Sequence, residues 1–255
     1  MAERERDLTA AIEAVRAASS ICRAVQQRLV TADTLEKKDK SPVTVADFAS
    51  QAIVCEQLQQ FFPDDLVVGE EGSDDLQGDD VADLRQAVVE AAADELGYEP
   101  EQDEVLGWID RGSAQADTDR YWTIDPIDGT KGFLRGEQYA VALGLIENGK
   151  VVLGVLGCPN LPGPRGTGAL FSGVSGQGAH VHELDGEGIA ISELLAETLC
   201  SSKGEARRLL QQGGASLNNR KVQDAQRRVT LEDLASDSSL VLRAGKKKYH
   251  VVWYD

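Results

Sequence analysis

The sequence predicts an α+β fold in which helices are layered on a mainly antiparallel sheet, followed by a second, smaller α+β domain. Three observations support this fold class. Between residues 7 and 61, apolar residues recur at the three-, four- and seven-residue intervals of amphipathic helices. Between residues 121 and 184, short apolar runs are separated by turn residues, a pattern typical of antiparallel strands. In residues 201–255, basic residues outnumber acidic ones, which indicates a change of domain.

The helices come first along the chain. Residues 7–30 carry an apolar stripe at helical spacing, and a second apolar-periodic run, from Phe48 to Phe61, ends just before a proline. In the acidic stretch 73–120, the pattern predicts one helix around Val81–Leu96 and a loop-like segment before Tyr121.

The strands alternate with turn signals. LVVGEE, residues 66–71, is interpreted as a short buried strand that ends in carboxylates, and YWTIDPIDGT as a short strand broken by Pro126 and Gly129. The apolar strands YAVALGLI and VVLGVLG are joined by Asn148-Gly149, which favours a tight hairpin. GALFSGVSGQGAHVHEL is expected to form another strand pair. Helix and sheet segments in this order predict helices packed on a largely antiparallel sheet.

The C-terminal part has its own helix and hairpin signals. ISELLAETL and SSKGEARRLLQQGG are interpreted as two short helices, the second with Ser201 or Ser202 as its N-cap. Hairpin turns are predicted at Asn218-Asn219 and near Ala244-Gly245. A small α+β domain is therefore expected here.

Charge is distributed unevenly along the chain, whose formal net charge is −17. Residues 201–255 hold 11 Lys and Arg against 6 Asp and Glu, so the acidic excess lies in the preceding residues. Because a basic surface attracts polyanions and an acidic one repels them, we expect two domains with different partners, at 1–186 and 187–255. A solvated charged face without a partner is the alternative interpretation of the basic tail.

Composition narrows the class of protein. The chain has 255 residues, of which 42% are hydrophobic and 27% charged, as in globular proteins with a buried core. No apolar run reaches the ~18–20 residues of a membrane span, and the first residues lack the apolar core of a signal peptide, so we expect a cytoplasmic protein. The four cysteines and three histidines show no zinc-ligand spacing, which argues against a zinc site.

Carboxylates stand at the ends of several predicted elements. Asp47 immediately precedes the second helical run, the pair Glu70-Glu71 follows one strand, and Asp125 and Asp128 end another. Hard divalent cations such as Mg²⁺ take oxygen ligands, and a cation would neutralise the repulsion between converging acids. In so acidic a protein, a surface location for any single Asp-x-x-Asp pair is the alternative.

Three motifs containing these acids together resemble the inositol monophosphatase superfamily: SPVTVAD at 41–47, FPDDLVVGEEG at 62–72, and the stretch from DPIDGTKGFLRGEQ to GCPNL at 125–161. The motif DPIDGTKGFLRGEQ resembles the 3′(2′),5′-bisphosphate nucleotidase branch of this superfamily. The resemblance covers about residues 8–184. It implies a sugar-phosphatase-like N-terminal half that removes the 3′-phosphate from a small molecule, adenosine 3′,5′-bisphosphate. The family pattern continues past 176–179 into a second α/β half with a Trp-Asp-x-x-Ala-Gly motif, which is not found in this sequence.

The resemblance also implies roles for individual residues. Asp47 and Thr130 would orient the attacking water, and Gly129, Thr130 and Lys131 would bind the phosphate. An ordinary surface charge is an equally good interpretation of Lys131. Glu71 would support the neighbouring ligand. The magnesium-binding groups, the last of them a main-chain carbonyl, would be Glu70, Asp125, Asp128 and Ile127.

Residues 191–254 resemble the C-terminal RNA-binding domain of bacterial tyrosyl-tRNA synthetases. The stretches SSKGEARRLLQQGGASLNNRKV, VTLEDL and LVLRAGKKKYHVVWY carry this resemblance. It implies that the tail binds structured RNA, tRNA or rRNA, through its phosphates. The cations expected to contact those phosphates are Lys203, Arg207, Arg208, Lys221, Lys246, Lys247 and Lys248.

Three hypotheses about function follow. The leading one is a magnesium-dependent phosphatase with an appended RNA-binding domain. The second is a binding protein whose phosphatase half is inert and whose activity is RNA binding. The third is a fused or truncated reading frame in which neither half works fully.

Overall fold

The chain divides in the computed structural model into two units, residues 1–185 and 186–255. Residues 186 and 187, where the two expected domains meet, lie outside the described residues. None of the described helices is long and apolar enough to cross a membrane. The structure describes residues 2–30, 41–162, 167–185, 188–225, 227–230, 233–236 and 239–253.

The helices of the first unit are α1 (Ala2–Val30), α2 (Ser41–Phe61), α3 (Ala82–Leu96), α4 (Gln102–Arg111) and α5 (Thr130–Arg135). α1 and α2 pack against each other through small side chains, which allow two helix axes to approach closely. Ala14 and Ala18 of α1 and Ala49 of α2 are fully buried. The Ser50 hydroxyl donates to the Ala18 carbonyl at 3.4 Å, which joins the two helices directly.

The strands of the first unit form one sheet in chain order: β1 (Leu66–Val68), β2 (Arg120–Asp128), β3 (Ala140–Glu147), β4 (Lys150–Pro162), β5 (Thr167–Val174) and β6 (Gly178–Glu183). β1 pairs with β2 in parallel, whereas each later pair is antiparallel, so the sheet is mixed. α1 packs directly on β4, because Gly157 has no side chain and a Cβ there would overlap Val15 and Ser19.

Two parts of the sequence prediction need correction. The acidic stretch 73–120 contains a second helix, α4, which the sequence does not predict, and residues 112–119 before β2 are loop-like. The start of α4 is fixed by a capping box, in which the Glu101 N–H donates to the Glu104 carboxylate at 2.9 Å. β2 is not broken at Pro126 but continues to Asp128, with a shift in its pairing to β3 after Asp125.

An arginine network, formed by Arg4, Arg120, Asp7, Asp65 and Glu147, fastens the start of β2. The Arg120 guanidinium donates to Asp7 at 2.9 Å, Asp65 at 2.9 Å and Glu147 at 2.7 Å. Arg4 donates to Asp7 at 3.0 Å and to Glu147 at 2.6 Å. The Asp7 side chain is only 1% exposed, and two guanidinium groups compensate the negative charge of its carboxylate.

One stretch of the sheet surface is open. A groove of about 510 Å³ is lined by residues of β2 to β6, including Asp125, Gly154 and Phe171. A Cβ added at Gly154 would meet no atom within 4 Å, and Leu156 and Val181 are 43% and 52% exposed. This part of the sheet therefore presents apolar surface to the outside of the first unit.

The second unit has its own hydrophobic core, which includes Ile191, Leu195, Leu210 and Leu242. The Ser202 hydroxyl caps α7 by accepting from the Glu205 N–H at 3.1 Å. The chain order of the elements is β7 (Ile189–Ala190), α6 (Ile191–Thr198), α7 (Lys203–Gln211), β8 (Ala215–Leu217), β9 (Arg220–Val222), β10 (Arg228–Val229), β11 (Ser239–Ala244) and β12 (Lys248–Trp253). The strands pair in the orders β12-β11-β8-β9 and β10-β7.

Candidate metal and phosphate site

The parallel pairing of β1 and β2 determines where the acidic motifs meet. Leu66 to Val68 of β1 are paired with Tyr121 to Thr123 of β2, so both strands leave the sheet at the same edge. Glu70 and Glu71 follow β1, and Asp125 lies near the end of β2. α2 packs on β2 and contributes Asp47. We call the group Asp47, Glu70, Glu71, Asp125 and Asp128 the acidic cluster.

Electrostatic coupling shows that the acidic cluster is a group of neighbours. Burial and then the charges of Glu71, Glu70 and Asp125, in that order of size, together raise the pKa of Asp47 to about 8. Burial, Glu70 and Asp128 raise the pKa of Asp125, while burial and Glu70 raise that of Glu71. Among the described residues, no Lys, Arg or His forms an ion pair with any member of the cluster.

The donor chemistry of the acidic cluster fits a hard divalent cation. All its side-chain donors are carboxylate oxygens, and they repel one another without a neutralising partner among the described residues. As placed, however, no three His, Cys, Asp or Glu side chains of the described residues converge tightly enough to hold a metal ion. The structure thus brings the acids into electrostatic contact but not into a ligand cage.

A buried glutamine that the sequence did not single out holds the loop that bears Glu70 and Glu71. Gln51 follows Asp47 by one turn of α2 and is fully buried. Its Oε1 accepts hydrogen bonds from the backbone N–H groups of Glu70 and Glu71, both at 3.0 Å. Its Nε2 donates to the carbonyls of Glu71 at 2.6 Å and Ile109 at 3.0 Å. The only sequence signal for it was the helical spacing from Asp47.

The end of β2 is shaped by a local hydrogen bond. The Ile127 N–H donates to Asp125 Oδ1 at 3.1 Å, which fixes this carboxylate relative to the strand. The Ile127 side chain is buried, and Asp128 is exposed. Gly129 then has a φ of +101°, and a Cβ there would lie 3.3 Å from Tyr139 Cα, so the turn into α5 requires glycine.

The residues expected to bind phosphate follow this turn. Thr130 and Lys131 begin α5, and both are exposed. The helix has only six residues, and Gly129 provides no side-chain cap for its first N–H groups. Phe133 anchors α5 by packing edge-on against Tyr139, with ring centroids 5.0 Å apart. Thr130 and Lys131 therefore extend into solvent from a short, well-anchored turn immediately after Asp128.

The cations expected to contact RNA all lie in the second unit. The Lys203 ammonium is 2.7 Å from a Glu193 carboxylate oxygen, and Arg207 is half-buried. Six of the seven expected contacts are exposed, namely Lys203, Arg208, Lys221, Lys246, Lys247 and Lys248.

Comparison with known proteins identifies the relatives of this chain. The model of the inositol monophosphatase family matches residues 3–247. The chain is 46% identical over 168 residues to 3′(2′),5′-bisphosphate nucleotidase 1 of Arabidopsis thaliana, covering 62% of this chain and 48% of the relative. It is 48% identical over 164 residues to 3′(2′),5′-bisphosphate nucleotidase of Schizosaccharomyces pombe, covering 60% and 46%. The chain thus spans about half the length of the curated relatives it matches.

Proposed function

Because this chain belongs to the inositol monophosphatase family, we propose that it is a magnesium-dependent phosphoric monoester hydrolase that acts on the 3′-phosphate of adenosine 3′,5′-bisphosphate. The acidic cluster is the observation that carries this proposal, since its coupled carboxylates have no cationic partner among the described residues. Similarity to proteins named 3′(2′),5′-bisphosphate nucleotidases supports the class of substrate. A cytoplasmic location stays a prediction.

The proposed roles follow from the chemistry of each group. The Glu70, Asp125 and Asp128 carboxylates and the Ile127 carbonyl would hold Mg²⁺, which when bound supplies positive charge to the phosphoryl oxygens. The Asp47 carboxylate would orient the attacking water and accept its proton.

The remaining groups would position water and phosphate. The Thr130 hydroxyl orients the water, and the Gly129 and Thr130 N–H groups and Lys131 hold the phosphate oxygens. The water oxygen bonds to phosphorus as the bond from phosphorus to the ribose 3′-oxygen breaks, and solvent protonates the departing oxygen.

The test is phosphate release from adenosine 3′,5′-bisphosphate by the full chain with Mg²⁺. We expect Asp47→Asn and Asp125→Asn each to lower the rate on the order of 10²–10⁴-fold. Asp64→Asn, at an exposed carboxylate outside the acidic cluster, is the matched control and should retain the rate. Turnover of the unaltered chain no higher than that of Asp125→Asn would reject the proposal.

A second candidate function, RNA binding through residues 187–255, is favoured by the surface of the second unit. Lys246 and Lys247 are exposed between β11 and β12, and Tyr249 and Trp253 of β12 are 55% and 70% exposed. Exposed cations neutralise phosphates, and exposed aromatic rings stack on bases. The resemblance of residues 191–254 to the tyrosyl-tRNA synthetase domain stays a prediction, and it agrees with this surface chemistry.

Anisotropy of a fluorescent tRNA, measured with the full chain at two salt concentrations, tests RNA binding. We expect the double variant Lys246→Ala/Lys247→Ala to weaken binding and to reduce the slope of log affinity against log salt by about 2. Lys150→Ala, an exposed lysine of the first unit, is the control and should bind like the unaltered chain. Absence of binding at about 50 mM salt would reject this function.

A further inference from the structure

The side-chain amide of Gln51 has every hydrogen-bonding position filled. Its oxygen accepts two hydrogen bonds, from Glu70 and Glu71, and its nitrogen donates two, to the carbonyls of Glu71 and Ile109. An amide has two acceptor and two donor positions, so none is left over. Its four partners are backbone groups of α4 and of residues 69–73, which we call the acidic loop. Together they fix which end of the amide is oxygen.

The surrounding backbone is shaped to receive this amide. A Cβ at Gly69 or at Gly112 would overlap the Gln51 side chain, so glycine is needed on both sides of it. The Gly69 N–H also donates to the Gly112 carbonyl at 2.6 Å. At the other end of the loop, the Ser73 N–H and hydroxyl donate to the Asp110 carboxylate at 3.0 Å and 2.8 Å. Residues 69–73 are therefore fastened to the C-terminal turn of α4 at two points.

This fastening opposes an electrostatic force. Glu70 and Glu71 place two carboxylates close to Asp47 of α2 and Asp125 of β2, and like charges repel. The two N–H groups bonded to Gln51 belong to the two residues that carry those charges. Gln51 thus holds the loop against this repulsion.

We propose that Gln51 is a positioning residue, which keeps Glu70 facing Asp47 and Asp125 so that the acidic cluster can bind a divalent cation. This inference rests on the proposed function, since it assumes that the cluster takes a cation. Gln51 contacts neither cation nor substrate in this role. It acts only through the backbone of Glu70 and Glu71.

The experiment is calorimetric titration of the full chain with Mn²⁺, together with urea unfolding of each variant. Gln51→Met keeps the side-chain length but removes the amide, and we expect it to weaken Mn²⁺ binding about 10–100-fold. Gln26→Met is the matched control, because Gln26 is also buried and hydrogen-bonded, to the Phe133 carbonyl at 2.7 Å, but does not contact the acidic loop. A purely structural role predicts that both variants lose stability and that both keep the Mn²⁺ affinity of the unaltered chain.

Each outcome decides a different point. If the unaltered chain binds Mn²⁺ and Gln51→Met binds it equally well, the role of Gln51 is overturned while the proposed metal site stands. If the unaltered chain binds no Mn²⁺ at millimolar concentration, the metal site itself is rejected and this inference with it. Should Gln51→Met not fold, Gln51→Asn keeps a buried amide but withdraws it by one methylene, and the same loss of Mn²⁺ affinity is expected.

Discussion

β2 begins at one group of carboxylates and ends at another, and the two groups differ in their charge balance. At the start, hydrogen bonds from Arg4 and Arg120 lower the pKa of the Glu147 carboxyl. At the end, burial and neighbouring acids raise the pKa values of Asp47 and Asp125. Burial of acids therefore does not by itself indicate a functional site. Guanidinium partners neutralise the first group, whereas no Lys, Arg or His of the described residues forms an ion pair with the second.

The largest effect should come from breaking the arginine network. Arg120→Met removes a partner of Asp7, whose side chain is 1% exposed, and leaves Arg4 as its remaining guanidinium. We expect the free energy of unfolding to fall by about 3–5 kcal/mol, because Asp7 loses one of its two guanidinium partners and Asp65 loses its ion pair with Arg120. Urea unfolding at neutral pH measures it. A loss below about 1 kcal/mol would mean that Arg4 alone neutralises Asp7.

Because of the acidic cluster, the free energy of unfolding should fall as pH rises. The pKa of Asp47 is about 8 in the folded chain against 3.8 for the free group, so its contribution is complete below about pH 4 and is lost as pH rises to 8. Without divalent cations, the free energy of unfolding should decline between pH 5 and pH 8.5. Asp47→Asn should flatten this decline and be more stable at pH 8.5, on the order of 1–3 kcal/mol.

Repeating the urea unfolding with millimolar Mg²⁺ tests whether a cation neutralises the acidic cluster. A cation bound only by the folded chain stabilises it, so Mg²⁺ should offset the alkaline loss of the unaltered chain. Identical urea midpoints for the unaltered chain and Asp47→Asn across this pH range would mean that the two groups of acids do not differ as described.

A smaller effect of opposite sign is expected at Glu147. Its pKa is lowered in the folded chain, so its contribution is present above about pH 4.5 and is lost as pH falls through the folded value. Glu147→Gln should cost less than about 1 kcal/mol at neutral pH. It should also reduce the loss of stability below pH 4.5, which acid titration followed by circular dichroism would detect. An unchanged acid midpoint would contradict this assignment.

The smallest effect should come from an exposed ion pair outside both groups. Arg28 and Asp94 lie 2.7 Å apart, and each side chain is 63% exposed. Arg28→Ala should change the free energy of unfolding by no more than about 0.5 kcal/mol, because solvent screens such pairs. A change as large as that of Arg120→Met in urea unfolding would show that burial does not separate the two kinds of ion pair.

A local sequence signal predicted local structure correctly where few residues decide the conformation. The Asn148-Gly149 turn adopts φ values of +51° and +70°, as its sequence predicts, because those two residues alone decide the turn. α4 was missed because its apolar residues Val105 and Ile109 are interspersed with acids, which made the segment resemble a loop. The parallel pairing of β1 with β2 was also missed, since no local pattern names a strand's partner.

In the candidate site, too, the sequence indicated some features, while others depend on contacts between distant segments. Motif resemblance named the acids, whose roles stay predictions, and the structure brings Asp47, Glu70 and Asp125 into electrostatic contact. Gln51 was not foreseen because its partners lie 19 to 58 residues away and are backbone groups, which have no signature in the sequence. Contacts of this kind follow only from the packing of α2 against α4 and the loop after β1.

The order of the strands in the first unit's sheet bears on which positions can accept substitutions. The strands that lead to the acidic cluster, β1 and β2, occupy one end of the order, and β6 occupies the other. Four inter-strand spacings, roughly 19 Å in all, separate β2 from β6. Substitutions at the exposed His180 and Val181 of β6 are therefore remote from the acids along the sheet. We expect changes confined to these two positions to leave the acidic cluster unchanged.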